Sequence, residues 1–214
     1  MANPVSSKNF QHPYDLKTAR WIREHLILES DEDKRKVFLE NIGNIFGARF
    51  PEILRYIKND YRIFVRDNQM IPPFEDKSWV GSIFCCGRAF GKTWCGSPAT
   101  IEFAMQHPNA RIGLLAPTFA MGRQNMIQGS SGILALSPKG FTPRYNKSEG
   151  TLTWPNGATA KIFSAENGDR VRGENFHYIW ADEFCFFKFT GDDKDIWKMA
   201  KMALRSGSHH LSMR

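Results

Sequence analysis

No stretch of this 214-residue sequence approaches the roughly 18 uninterrupted apolar residues of a membrane-crossing helix, and the opening Met-Ala-Asn-Pro-Val-Ser-Ser-Lys lacks a secretory leader's apolar core. A membrane protein and a signal-led secreted protein are therefore not expected, and a cytosolic setting is. Cysteine is also sparse: Cys85, Cys86, Cys95 and Cys185 stand without any Cys-x-x-Cys spacing. That pattern argues against a zinc ribbon or a disulfide framework and leaves reduced thiols, two of them adjacent in a run that reads as core strand. No internal repeat or low-complexity tract is present, so a repeat array is not expected. Apolar material is ample, with 42% hydrophobic and 13% aromatic residues, enough for one substantial domain and an appendage. A formal charge of +7 suits a polyanionic partner, because Lys and Arg contacts to phosphates dominate non-specific nucleic-acid affinity. The basic residues are scattered, however, as they also are on an ordinary solvated face.

The first sixty residues read as helices. Leu16, Ala19, Ile22, Leu26 and Ile27 share a face of an amphipathic segment from Tyr14 to Glu29. Ser30-Asp31-Glu32-Asp33 then supplies a break and an N-cap before a second helix carrying Val37, Phe38, Ile42, Ile45 and Phe46, and Pro51 opens a third, short helix through Ile57. After Gly81 the pattern changes to short apolar runs: Ser82–Cys86, Arg111–Ala116, Ala160–Ser164 and Tyr178–Ala181. Alternation of such runs with helical stretches predicts a mostly parallel α/β sheet flanked by helices. Leu152-Thr153-Trp154 with Pro155-Asn156-Gly157 predicts a hairpin and one antiparallel pairing, and Ile196–Leu204 a helix after the last run. The expected division is a helical appendage over 1–60 and an α/β domain over 61–214. Such a sheet wants a further strand after the final helix, which His209–Arg214 would only begin, so the domain reads as cut short before its last strands.

Two segments carry chemistry. Cys86-Gly87-Arg88-Ala89-Phe90-Gly91-Lys92-Thr93 follows the first apolar run, and its two glycines let backbone approach an anion. In such a phosphate loop the N–H groups of Gly87, Arg88, Ala89, Phe90 and Gly91 surround the β-phosphate, Lys92 reaches the β- and γ-oxygens, and the Thr93 hydroxyl binds Mg²⁺. The pattern G-x-x-x-x-G-K-[ST] asks for glycine where Cys86 stands, which is tolerable only if the backbone there is ordinary. Some ninety residues on, Tyr178-Ile179-Trp180-Ala181 runs into Asp182-Glu183. Carboxylates at the C-terminal end of a buried parallel strand are where open α/β sheets place ligands; Asp182 would join the Mg²⁺ shell and Glu183 would polarise the attacking water. Each segment alone has a plain alternative, a glycine turn that happens to precede Lys-Thr and a strand ending in surface acids. Together they point to ATP with Mg²⁺ as the cofactors.

The order of these and further segments resembles the N-terminal ATPase region of the large terminase subunit of tailed bacteriophages, from about Tyr61 to Leu204. Arg66-Asp67-Asn68-Gln69 with Pro72-Pro73 is similar to the segment ahead of that family's phosphate loop, and the resemblance implies that Gln69 reads adenine. The loop with its internal arginine, Ala116-Pro117-Thr118, the Leu152–Gly157 hairpin, Phe163–Asn167 and Asp169-Arg170-Val171-Arg172-Gly173 follow in the family's order. The resemblance implies an ASCE (RecA-like) P-loop ATPase that drives double-stranded DNA into a procapsid. It further implies a homo-oligomeric ring, the portal protein and the small terminase subunit as partners, and work in the host cell cytoplasm without a membrane. That family also carries a coupling motif and a C-terminal nuclease, which this sequence ends before, so no DNA cutting is expected of it.

A guanidinium fork is the natural partner for charge building on a γ-phosphate. Arg88, inside the loop, would act within its own subunit; Arg172, ten residues before Asp182, would reach a neighbour's nucleotide. Ordinary surface ion pairs are the alternative for both. Two other functions stay open on sequence alone: another P-loop nucleic-acid translocase, and a nucleotide-binding assembly module or split subunit that needs a second chain to hydrolyse ATP.

Overall fold

The computed structural model describes residues 16–58, 60–72, 74, 76, 78, 80–87, 90–187, 196–204 and 210–213. The chain clusters into two compact units divided between Met70 and Ile71.

In the first unit α1 (Leu16–Leu26), α2 (Glu32–Phe46), α3 (Phe50–Ile57) and α4 (Tyr61–Phe64) follow one another. Their ends come from the sequence signals. The Asp31 carboxylate accepts from the N–H groups of Asp33 and Lys34 at 2.9 and 3.2 Å and so caps α2, and Pro51 sits in the first turn of α3. Ala19, Ile22, Phe38, Ile42, Ile53, Ile57 and Ile63 form the core. Val37 and Ile45, expected in the apolar stripe of α2, instead face solvent at 55% and 67% exposure, because Phe38 and Ile42 set the buried face. The segment after residue 60 belongs with these helices: Arg20 donates to the carbonyls of Arg62 and Val65 at 3.1 and 2.9 Å, and Arg23 to that of Ile63 at 3.1 Å.

The second unit is a seven-stranded sheet in the order β1-β7-β6-β2-β5-β4-β3. The strands are β1 (Gly81–Ile83), β2 (Arg111–Ala116), β3 (Arg144–Asn146), β4 (Thr151–Thr153), β5 (Thr159–Ser164), β6 (Tyr178–Ala181) and β7 (His210–Met213). From β1 to β5 all neighbours are parallel; β4 and β3 add antiparallel pairings at the far edge. The helices are α5 (Lys92–Gln106), the short α6 (Phe119–Met121) running into a wide π-turn segment over Gly122–Gln128, α7 (Ile133–Leu136) and α8 (Ile196–Ala203). Alternation along the central strands builds two cores. Ile112, Leu114, Tyr178 and Trp180 face Ala99 and Phe103 of α5, whereas Leu115, Phe163, Ile179 and Ala181 face Ile196, Met199 and Ala200 of α8. All four residues of β6 are fully buried, each of its large side chains contributing about 2–3 kcal/mol of hydrophobic stabilisation.

The expected first strand is the main correction. Ser82–Cys86 was to be a buried strand, but β1 stops at Ile83, lies at the sheet edge with β7 as its strand neighbour, and leaves Ile83 63% exposed. Cys85 is accordingly exposed and Cys86 half-buried; Cys95 is the buried thiol, and all four cysteines are free. Apolar composition marked the run as core, but an edge strand has only one ladder neighbour to cover it.

The hairpin at Pro155-Asn156-Gly157 stands where its turn residues placed it, closed by Trp154 N–H to Ala158 C=O at 2.9 Å. It also docks on the end of α5: Asn156 Nδ2 donates to Ala104 O at 2.7 Å, and Asn109 N–H donates to Asn156 O at 3.3 Å. Gly157 has φ +85°, and a Cβ there would run into the Asn109 carboxamide. Gly157→Ala is therefore expected to cost about 2 kcal/mol or more, read as a lower urea midpoint at unchanged slope.

Candidate active site

The chain leaves β1 at Ile83 and passes through Phe84–Gly87 before α5 opens at Lys92. Gly91 closes the loop with φ +90°, a left-handed conformation that glycine adopts without steric penalty. It has no side chain to cap the helix, so no side-chain cap takes up the first-turn N–H groups of α5 at this terminus. The Lys92 ammonium bends back over the loop and donates to Gly87 O at 3.2 Å and Cys86 O at 3.4 Å. Thr93 is half-buried in the first turn, and Phe90 packs against the core that α5 shares with the sheet. Cys86 is not among the non-glycine residues with positive φ, which are Asn109 and Glu183, so cysteine meets no backbone penalty at the position where the consensus has glycine. Arg88 and Ala89 lie outside the described residues.

Parallel register decides where the acidic pair falls. Ile83 and Ala181 are both Cα partners of Met213, so the ends of β1 and β6 stand in one row with β7 between them. Two strand spacings put these row positions about 10 Å apart, and both strands point the same way. The phosphate loop and Asp182-Glu183 thus emerge from one rim of one sheet. Asp182 continues the β6 ladder, donating its N–H to Leu115 O at 2.9 Å, and is 4% exposed. Glu183 is half-buried and held at φ 53°, ψ 43°, a left-handed conformation that costs a residue with a Cβ about 1–2 kcal/mol.

Arg172 is not brought to this rim. After β5 the chain turns at Ala165–Val171 and descends the α8 face; two residues after Arg172, Glu174 pairs with Lys161 at 3.0 Å, level with Ile179 in the sheet. Arg172 itself is exposed, with its N–H donating to Asp169 O at 3.1 Å. Gln69 lies in the helical unit, 6% exposed, where its Oε1 accepts from Arg66 N–H at 2.9 Å and Arg66 Nε at 3.2 Å.

The rim also gathers Thr118, Ser164 and Glu166, which were not among the expected site residues. Ser164 Oγ donates to Pro117 O at 3.1 Å and sits 3.3 Å from Glu166 Oε2, tying the ends of β2 and β5 together. Thr118 caps the next turn through Met121 N–H at 3.1 Å. The available signal was positional: each is among the first polar residues after a buried strand of a parallel sheet.

The family model described as "Terminase large subunit, T4likevirus-type, N-terminal" matches residues 83–212. No curated protein is similar to the chain at a significant level. Among solved structures, the chain is similar to the large terminase of a thermophilic bacteriophage at 15% identity and TM-score 0.56, over 69% of this chain and 38% of that one. Further structures of that terminase, in complex with ADP and with ATP-gamma-S, are similar at 17% and 14% identity with TM-scores of 0.53 and 0.52; each match covers 69% of this chain and 37% of that one. The chain therefore spans less than two-fifths of the length of these structures, and at such identities the likeness establishes the fold. With the family match running from the end of β1 into β7, through the loop, the hairpin and the acidic strand, the chain belongs to the N-terminal region of T4-like-virus-type terminase large subunits.

Proposed function

We propose that the chain is a Mg²⁺-dependent ATP hydrolase, the motor part of a machine that drives double-stranded viral DNA into a procapsid. The observation that carries this is the shared rim: a glycine-closed loop ahead of Lys92 and the pair Asp182-Glu183 leave parallel strands in the one row defined by Met213. Lys92 and the first-turn N–H groups of α5 bind the phosphates, and the α5 dipole adds to their attraction for anions. The fit to Mg²⁺ rests on the donor set. Among the described residues no group of three or more His, Cys, Asp or Glu could cage a metal, while Thr93 and Asp182 offer one hydroxyl and one carboxylate, the hard oxygen donors of an ion held mostly by phosphates and water. When bound, Mg²⁺ offsets charge on the phosphate oxygens. Glu183 accepts a proton from the attacking water and orients it. Its costly backbone favours hydrolysis over a module that only binds, since strained backbone collects where chemistry is done.

Arg88 and Arg172 are the candidates for stabilising charge on the γ-phosphate, and the descent of Arg172 away from its own rim favours action on a neighbouring subunit. Gln69 is the candidate for adenine. The ring, the portal protein, the small terminase subunit and the host cytoplasm are the setting this function requires, and the +7 charge supports gripping DNA by its phosphates. No helix among the described residues is long and apolar enough to cross a membrane. Calorimetry with Lys92→Ala tests the nucleotide site. ATP affinity is expected to fall by about tenfold or more at unchanged circular dichroism, the loss of one charge-assisted contact to phosphate. Unchanged affinity overturns the assignment of the loop.

A further inference from the structure

Phe186 is out of keeping with its surroundings. In the short turn Phe184–Phe186, Phe184 packs on Phe187 and Trp197 at ring separations of 5.3 and 5.0 Å, and Phe187 is 4% exposed. Phe186, three residues beyond Glu183, remains 66% exposed. Elsewhere on the same unit a groove of about 350 Å³ opens beside α8, walled by Val171, Met199, Met202 and Ala203 and carrying Arg172 and Lys198 at its lip. Met202 is 46% exposed there. Glu174 also lines the groove, but it is committed to Lys161 at 3.0 Å, so the charge offered outward is positive. A cavity of about 150 Å³ is enough to hold benzene, so the groove has room for a phenyl ring and the chain that carries it.

From this we infer that Phe186 of one copy seats in the Val171–Met199–Met202–Ala203 groove of the next copy of this chain. The charges select that occupant: Asp182 and Glu183 precede Phe186 on the rim, and Arg172 and Lys198 flank the groove. The two patches share no residue, so the contact is heterologous, head to tail, the kind that closes into a ring when the rotation per subunit permits. Methionine walls suit an aromatic insert, since sulfur–ring contacts are favourable and the side chains adapt. The inference rests on the proposed function in one respect. The same seating carries Arg172 to the neighbour's acidic rim, where a guanidinium acting in trans belongs.

The test places p-benzoylphenylalanine at position 186 of the chain and irradiates it at high concentration, with and without ATP-gamma-S and Mg²⁺. Cross-linked dimers and larger species are expected, with the adduct mapped to Met199 or Met202 of an isotopically distinct copy. Intermolecular adducts confined to other segments, or none at all, overturn the seating. In parallel, Phe186→Ala and Met202→Glu are expected to lower ATP turnover per subunit by tenfold or more while leaving ATP affinity unchanged; unchanged turnover in both also overturns it. Adducts in the groove with turnover indifferent to Arg172→Ala uphold the seating and reject the arginine's action in trans. Adducts in the groove together with no ATP binding uphold the seating and reject the nucleotide reading.

Discussion

Glu183→Gln is expected to cut ATP turnover by about a thousandfold while leaving ATP affinity within about twofold, because an amide of the same shape cannot take the proton of the attacking water. The effect falls on kcat. Glu183 stands at the end of β6 beside the buried Asp182, and only the latter is a candidate for holding the nucleotide's metal ion. A companion variant separates chemistry from backbone. Glu183→Gly removes the same carboxylate, yet it relaxes a left-handed residue at φ 53° and is expected to raise unfolding stability by about 1 kcal/mol. A stabler but inactive Glu183→Gly would place the backbone cost in the service of hydrolysis. Turnover surviving in Glu183→Gln, as followed by phosphate release, would move the role of base elsewhere.

Asp60→Asn is the second large effect, and it concerns stability. Asp60 and Arg62 are 5% and 7% exposed, and the guanidinium donates Nε to Asp60 Oδ1 at 2.9 Å and Nη2 to Oδ2 at 2.8 Å. Neutralising the carboxylate takes this counter-charge from a buried guanidinium, and breaking such a pair costs about 3–5 kcal/mol. The asparagine keeps a side-chain acceptor for Arg62 N–H, which Asp60 Oδ1 now caps at 3.0 Å, so the loss reports on charge more than on the cap. Urea unfolding and amide exchange at Ile63 and Val65 measure it. Replacing both partners, as Asp60→Asn with Arg62→Met, should recover most of the loss, since the destabilisation comes from removing one charge and leaving the other. A loss below about 1 kcal/mol in the single variant would mean that water reaches the pair.

What the sequence made legible follows burial. The strands β2 and β6 stand at the predicted residues because their apolar runs are covered on both faces, and such runs have few other destinations. Helices α2 and α3 begin where Asp31 and Pro51 said they would, and the hairpin turns at Pro155-Asn156-Gly157. The misreadings lie at edges. Ile83-Phe84-Cys85-Cys86 is as apolar as a core strand, yet its ladder ends at Ile83 and the remainder is spent entering the phosphate loop. Arg144-Tyr145-Asn146 forms β3 with no apolar alternation to announce it, being the outermost strand. The segment Gly122–Gln128 has no regular period, and its docking depends on Gly122 fitting tightly against Ile162 and Ala116, a tertiary fact. The candidate site shows the same division. Both motifs announced the pair of strand ends that share a rim, whereas register alone could show that Arg172 descends away from it. That Glu183 would sit in a left-handed conformation had no signal in the residue type, which ordinarily avoids it.

The docking of the hairpin on α5 has a mechanical meaning. Fifteen residues of helix make a strut about 22 Å long whose near end begins at Gly91 and whose far end is held by Asn156 through Ala104 O. A stiff strut does not absorb displacement; it hands it on. Any shift of Lys92 toward an anion is delivered at the opposite end of the sheet, at Pro155-Asn156-Gly157, without an intervening hinge of flexible chain.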